Sequence, residues 1–239
     1  MHPENKSNHA DFTLTVQYQT DLDIIGVSAA GQVYNIDDHI VLKAASESIF
    51  HFGLVEDEKT IFRLLSRHTQ SNIIDAIDTS HPEGIYLRKY RPFPQSGLPP
   101  QSDRILWYQD ILRALIHLHS LDITHADVRK DNILFDAQGH ALLGEFGASC
   151  PVGFPNPSLP LLLNGPAETV SDATDMLLLP PVQTGHIGLD SLIMNAWRQR
   201  YASTAEILAH TQGLSDSEDV RGQARHYLSK EELLSRITR

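Results

Sequence analysis

The chain has 239 residues, a length that allows one domain or two small ones. It carries 19 Lys and Arg against 30 Asp and Glu, for a formal net charge of -11. This acidic balance argues against a general nucleic-acid binder, because such proteins present a basic face to phosphates. The 41% of hydrophobic and 21% of charged residues are values typical of a globular protein rather than a disordered one.

The chain contains one cysteine, Cys150, so no intramolecular disulfide can form. No apolar run approaches the roughly 20 residues that a membrane span requires. The N-terminus lacks a basic start followed by an apolar segment, so no signal peptide is visible. We therefore expect a soluble, intracellular, cytoplasmic protein without a membrane span.

The first half of the chain is predicted to form mostly strands. Residues 1–10 are polar and are expected to be disordered, and from Phe12 apolar residues occupy every second position, which predicts a strand. Further strand patterns occur at residues 32–36, 40–44, 72–79 and 84–90. A helix is predicted over residues 56–67, between the two pairs.

A loop rich in Pro and Gly, residues 92–100, separates these strands from a mostly helical second half. This order predicts an α+β protein. The first predicted helix covers residues 103–120, with Asp103 as its capping residue. Later elements are two short strands at 133–135 and 141–143, helices at 189–197 and 202–211, and a last helix that a capping box begins at Ser229.

The most informative group of polar residues is H-A-D-V-R-K-D-N, at positions 125–132. It places a carboxylate (Asp127), a cation (Arg129) and an amide (Asn132) in one tight loop. Such a loop could orient a hydroxyl, neutralise a phosphate and hold a metal ion. Taken alone, this pattern is more typical of a polar surface turn.

Glu58 gives an independent physical indication. It shares one helix face with Ile61, Phe62 and Leu65, which lie three, four and seven residues further on. A carboxylate on an apolar face is costly unless it is paired. Lys43 is the natural partner, and pairing with water at the edge of the face is the alternative.

Four further motifs accompany this loop in a fixed order. The loop itself resembles the H-R-D-L-x-x-x-x-N pattern, and E-F-G at 145–147 resembles the D-F-G metal motif. G-V-S-A-A-G-Q-V at 26–33 resembles the glycine-rich phosphate loop, V-L-K at 41–43 resembles V-A-I-K, and Glu58 lies where a helix supplies that Lys with a Glu. Together they indicate that the chain resembles a protein kinase domain of the Ser/Thr-like kind.

The resemblance implies a bilobal fold. Residues 11–91 would form a small N-lobe with an antiparallel β-sheet and one helix, and residues 92–102 the hinge and linker. Residues 103–212 would form a mainly helical, abbreviated C-lobe. A charged tail with a short helix, 213–239, would follow.

The resemblance also implies roles on the side that binds the cofactors, ATP and Mg²⁺. Gly26, Ser28, Gly31 and Val33 would form the phosphate loop, in which glycine lets the backbone approach phosphates closely. Lys43 would contact the α- and β-phosphates and would be held by Glu58.

On the transfer side, Asp127 would accept the proton of the substrate hydroxyl, and Arg129, in place of the usual Lys, would neutralise the γ-phosphate. Asn132 and Glu145 would hold Mg²⁺. The protein would contribute mainly positioning and charge neutralisation.

The chain departs from the family pattern in four places. Ser28 replaces the middle glycine of the phosphate loop, Ala126 replaces the Arg of H-R-D, and Glu145 replaces the Asp of D-F-G. In addition, the C-lobe is shortened, and Pro180-Pro181 interrupts a segment expected to be helical.

Three functions remain open from the sequence. The first is an active kinase that transfers the γ-phosphate of ATP to Ser or Thr of a protein substrate. The second is a pseudokinase that binds a scaffold partner and transfers phosphate weakly or not at all, which Glu145 and the short C-lobe favour. The third is a small-molecule kinase of the same fold, such as the aminoglycoside phosphotransferase group. Oligomeric state does not follow from the sequence.

Overall fold

The fold was obtained as a computed structural model. It describes residues 22–28, 31–45, 49–82, 84–94, 100–155, 169–171, 174–175, 187–198, 200–214 and 227–237. The strand predicted from Phe12 lies outside these residues, as does Pro180-Pro181.

A five-stranded antiparallel sheet forms the N-terminal part. Its spatial order is β1-β2-β3-β5-β4. The strands are β1 (Ile24–Val27), β2 (Gly31–Asn35), β3 (Ile40–Ala45), β4 (Ala76–Asp78) and β5 (Gly84–Arg88). The predicted strands of β2, β3 and β5 are confirmed, and β4 is shorter than the predicted 72–79. Sequence reasoning missed β1, because its apolar run is too short to show alternation.

Helix α1 (Ile49–Leu65) packs against one face of this sheet. It begins well before residue 56, where a helix was predicted; Gly53 weakens the local helix propensity and obscures the true start. Phe62 and Leu65 are buried together with Glu58, as predicted, whereas Ile61 of the predicted face is only partly buried.

The C-terminal part is mainly helical. The longer helices among its described residues are α2 (Gln101–Ser120), α3 (Ile187–Trp197), α4 (Thr204–Gln212) and α5 (Lys230–Ile237). Two short strand pairs lie after α2: β6 (Ile123–Thr124) with β9 (Cys150–Pro151), and β7 (Ile133–Phe135) with β8 (Ala141–Leu143). This order confirms the α+β class. It also agrees with the prediction that a sheet-rich part is followed by an abbreviated helical part.

The prediction that Asp103 caps α2 is wrong. The helix begins at Gln101, its N-cap residue is Pro100, and no side chain caps it. Asp103 therefore lies within the first turn. There its carboxylate still interacts favourably with the positive end of the helix dipole.

The larger apolar core runs from the inner face of the sheet through α1 and α2 to α3 and α4. A smaller core covers the outer face of the sheet, where Leu42 and Tyr86 pack with the fully buried Leu233 of α5. The predicted capping box of α5 is confirmed: Ser229 Oγ accepts the Glu232 N–H, and Glu232 accepts the Ser229 N–H. Among the described helices, none is long and apolar enough to cross a lipid bilayer.

Candidate active site

Lys43 and Glu58 form a buried ion pair at the centre of the N-terminal part. Lys43 lies in β3, flanked by Val33 of β2 and Ile85 of β5. Its Nζ atom is 2.5 Å from Glu58 Oε2, and the two residues are 1% and 0% exposed. The pairing inferred from the apolar face of the helix is thus present in the structure.

Glu145 provides a second carboxylate for the same ammonium. Its Oε1 accepts a hydrogen bond of 2.5 Å from Lys43 Nζ. Its backbone is left-handed, with φ 64°, which a non-glycine residue rarely adopts. The sequence motif predicts Glu145 only as a metal ligand, so the contact with Lys43 is a finding of the structure.

The charges of this trio act on one another. Burial alone would lower the pKa of Lys43, but the two carboxylates outweigh it and hold that pKa above its usual value. Burial, together with the charge of Glu145, raises the pKa of Glu58 even though Lys43 opposes the change. The trio carries two potential negative charges and one positive charge.

Glu58 also fixes the segment that follows Glu145. Its Oε1 accepts a hydrogen bond of 3.0 Å from the backbone N–H of Phe146. The Phe146 ring packs edge-on against Phe62 of α1, with centroids 5.2 Å apart, and against His125, with centroids 5.3 Å apart. The contacts join α1, the E-F-G segment and the loop 125–132 into one unit.

The loop 125–132 brings together the three side chains predicted for it. Asn132 Nδ2 donates to the carbonyl of Asp127 at 2.8 Å and to its Oδ2 at 2.9 Å. Arg129 Nε lies 3.5 Å from the same oxygen. The side chain of Arg129 is 59% exposed and that of Asp127 is 30% exposed, so solvent reaches this side of the site.

A buried aspartate supports this loop from below. Asp175 accepts the backbone N–H groups of His125 and Ala126, each at 2.8 Å, and Ala126 adopts φ 64°. His119 Nε2 lies 2.9 Å from Asp175, and Thr204 Oγ1 lies 2.9 Å from the other ring nitrogen of His119. The sequence motifs predict no role for Asp175, so its support of this loop emerges only from the fold.

His125 is a buried part of the same support. Its Nε2 lies 2.9 Å from the carbonyl oxygen of Gly144, and its ring is fully enclosed. Burial lowers the pKa of His125, although the nearby carboxylates of Asp175, Asp127 and Glu145 oppose the change.

The residues predicted to bind phosphates lie in β1 (Gly26), directly after it (Ser28) and in β2 (Gly31 and Val33). Ser28 N–H donates to the carbonyl of Gly31 at 2.8 Å, and Val33 stands opposite Lys43. A Cβ atom at Gly31 would lie 1.9 Å from the Ala44 carbonyl oxygen, whereas one at Gly26 would meet only Val33, at 3.6 Å. The close packing of β2 on β3 therefore requires a glycine at position 31. This requirement is separate from the predicted approach of phosphates to the backbone.

Asn132 and Glu145, the residues predicted to bind Mg²⁺, are held close together. The N–H of Gly144 donates to the backbone carbonyl of Asn132 at 3.0 Å. Within the described part of the chain, no group of three or more His, Cys, Asp or Glu side chains could hold a metal ion. An amide oxygen and one carboxylate do fit Mg²⁺ in the form in which proteins usually bind it, with substrate phosphates completing the shell.

Sequence comparisons give relatives that include several serine/threonine protein kinases. The chain is 28% identical over 176 residues to serine/threonine-protein kinase ppk6 of Schizosaccharomyces pombe, covering 63% of this chain and 21% of the relative. It is 24% identical over 174 residues to protein kinase 2 of Dictyostelium discoideum, covering 60% of this chain and 35% of the relative. It is 26% identical over 144 residues to serine/threonine-protein kinase PrkC of Bacillus subtilis, covering 53% of this chain and 22% of the relative.

These matches support the protein kinase domain family. No family model matches the chain. The chain spans only about a fifth to a third of the length of the three relatives. The similarity therefore concerns a kinase-like domain, and the α+β architecture described above agrees with an abbreviated domain of this kind.

Proposed function

We propose that this chain binds ATP and transfers its γ-phosphate to Ser or Thr hydroxyls of a protein substrate. The observation that carries the proposal is the buried Lys43–Glu58 ion pair, with Glu58 also bound to the Phe146 N–H. Stability alone does not account for a fully buried ion pair, because apolar residues of similar volume are often at least as stabilising. A role in function would account for it, since an ammonium held in a fixed position can bind a phosphate.

Lys43 would bind the α- and β-phosphates, and Glu58 would hold its ammonium in place. Gly26, Ser28, Gly31 and Val33 would lie over the phosphates. Asn132 and Glu145 would supply the protein's oxygen ligands to Mg²⁺. The bound ion would neutralise charge on the β- and γ-phosphates.

Asp127 would accept the proton of the attacking hydroxyl. Asn132 holds the Asp127 carboxylate in a fixed orientation, and Asp175 fixes the backbone of the residues before it. Arg129, beside Asp127, would neutralise charge that develops on the γ-phosphate. Catalysis would come from positioning and electrostatics rather than from a covalent intermediate.

The test is transfer of labelled phosphate from ATP in the presence of Mg²⁺ or Mn²⁺, with general protein substrates. Asp127→Asn is the control, because it retains the hydrogen-bonding shape but cannot accept the proton. We expect transfer by the native chain and a loss of at least about a hundredfold in the variant, the usual contribution of a general base. Equal, background-level transfer by both proteins would contradict the proposal.

A pseudokinase is the second candidate, and one contact favours it. Lys43 is already bonded to Glu145, the residue expected to hold the metal ion. A thermal-shift measurement with nucleotide separates the two candidates: a shift without transfer indicates a pseudokinase. Transfer to an aminoglycoside but not to protein would instead indicate a small-molecule kinase.

A further inference from the structure

The ammonium of Lys43 is shared between two carboxylates that differ in how firmly they are held. Glu58 is 0% exposed, and its other oxygen accepts the Phe146 N–H, so it cannot leave without breaking a buried hydrogen bond. The side chain of Glu145 is 25% exposed. Glu145 is therefore the partner that another anion could displace from Lys43.

We propose that Glu145 competes with the phosphates of the nucleotide for Lys43, so that nucleotide binds well only together with a divalent cation. This inference rests on the proposed nucleotide-binding function and adds a control to that site. Glu145 bonds to the same Lys43 ammonium that a phosphate oxygen would have to contact. A cation offers Glu145 a new partner when the phosphates arrive.

Charge balance explains why the cation is required. Without it, a triphosphate would enter beside Glu58 and Glu145, and these anions would share one ammonium. Like charges at such short range in a partly buried site repel strongly, because the effective dielectric constant is far below that of water. With a divalent cation, Glu145 and the phosphates gain a common counter-ion.

The length of the side chain also contributes to the competition. Glutamate is one methylene longer than the aspartate of the D-F-G motif, which extends its reach by roughly 1.5 Å. This reach allows Glu145 to approach the Lys43 ammonium to 2.5 Å while its backbone stays in the left-handed conformation. A shorter carboxylate at the same backbone position would contact Lys43 less closely.

The experiment measures the Kd of the β,γ-imido analogue of ATP by titration calorimetry, once in EDTA and once in excess Mg²⁺. Four proteins are compared: the native chain, Glu145→Gln, Glu145→Asp and Asp127→Asn. Asp127→Asn is the matched control, because it removes a carboxylate from the same cleft but not from Lys43. Thermal unfolding of each protein verifies that it is folded.

In EDTA, we expect Glu145→Gln to bind the analogue at least tenfold more tightly than the native chain. Mg²⁺ should strengthen binding to the native chain much more than binding to this variant. Glu145→Asp should bind more tightly than the native chain in EDTA and keep its response to Mg²⁺. Asp127→Asn should show a smaller gain in EDTA than Glu145→Gln.

Equal affinities of the native chain and Glu145→Gln in EDTA would overturn the inference while leaving nucleotide binding intact. An equal gain in Asp127→Asn would overturn it too, because general repulsion would then be the cause. Should Glu145→Gln be unfolded, an unchanged EDTA affinity in Glu145→Asp would overturn it. Absence of binding by every protein in both buffers would refute the proposed nucleotide function itself, and the inference with it.

Discussion

The two sides of the candidate cleft differ in how the chain holds them. On the nucleotide side, Lys43 and Glu58 form a buried ion pair, and Glu58 also accepts the backbone N–H of Phe146. On the transfer side, Arg129 is mostly exposed and lies 3.5 Å from a partly exposed Asp127. Packing thus holds the side chains of the nucleotide side in place. On the transfer side, the side chains lie on a loop whose backbone is held by hydrogen bonds to the buried Asp175.

This difference indicates where the chain depends on its charged residues for folding and where it depends on them for chemistry alone. A buried charge that loses its partner destabilises the protein strongly, whereas an exposed ion pair contributes little. Substitutions on the nucleotide side should therefore affect stability and binding together. Substitutions at the exposed end of the transfer side should affect the reaction only.

The largest expected effect is that of Lys43→Met, which leaves Glu58 and Glu145 without their common cation. We expect the free energy of unfolding to fall by about 3–5 kcal/mol, the usual cost of breaking a buried ion pair. Chemical denaturation measures it.

Lys59→Met is the matched control. Lys59 is 2% exposed, but its partners are the half-exposed Glu56 and the carbonyl of His81, and water can solvate the Glu56 carboxylate when the Lys is removed. The loss should be smaller, and nucleotide affinity should not change. If the free energy of unfolding falls equally in the two variants, the Lys43 ion pair is no more important for stability than the contacts of another buried lysine.

Asp175→Ala tests the support of the transfer side. It leaves the N–H groups of His125 and Ala126 without their acceptor, at about 1–3 kcal/mol for each buried group. We expect a loss of about 2–6 kcal/mol in unfolding free energy, the sum for the two groups, and a fall in transfer rate larger than any change in nucleotide affinity. If nucleotide affinity falls as much as the transfer rate, then Asp175 supports the nucleotide side and the transfer side alike, and the proposed difference between them is wrong.

The pH dependence of stability tests the burial of His125. Because burial lowers its pKa in the folded state, the unfolded chain takes up the proton first as the pH falls. The stability due to neutral His125 is full above the unfolded pKa of about 6.5, and it is lost as the pH falls from there towards the folded pKa.

We expect the free energy of unfolding to decrease from pH 7 to pH 5 and the decrease to be smaller in His125→Phe, whose ring can still pack on Phe146. His39→Gln, at an exposed position, should retain the native slope. The same slope in all three proteins would show that His125 is not the group responsible.

The smallest expected effect is that of Ser229→Ala at the start of α5. The change removes the hydroxyl that accepts the Glu232 N–H and should cost about 1 kcal/mol. Nucleotide affinity should stay unchanged, because α5 covers the outer face of the sheet rather than the cleft. Ser235→Ala, within the helix, is the control; a loss as large there would show that capping is not the cause.

The sequence predicted the nucleotide side better than the support of the transfer side. The position of Glu58 could be predicted because residues four and seven positions apart lie on one face of a helix, which puts Glu58 beside the apolar Phe62 and Leu65. Asp175 could not, because its partners at 125 and 126 lie far away in the chain and only the fold brings them together. The contact of Glu145 with Lys43 depends on a left-handed backbone, which no local pattern indicated.

The boundaries of elements were predicted less well than their presence. The start of α1 was placed too late because Gly53 interrupts its propensity. Asp103 was misassigned as a cap because α2 begins two residues earlier, at Gln101. The proposed roles of Gly26, Ser28, Asn132 and Arg129 in binding nucleotide and metal remain predictions.

The most direct test of the central claim is a titration of the native chain, Lys43→Met and Asp127→Asn with the β,γ-imido analogue of ATP in excess Mg²⁺. We predict one saturable site in the native chain. Lys43→Met, under conditions where it remains folded, should bind at least about tenfold more weakly, a difference of about 1.4 kcal/mol, and Asp127→Asn should retain the native affinity. No saturable binding by the native chain, or an unchanged affinity in folded Lys43→Met, would contradict the claim that Lys43 and Glu58 form a nucleotide site.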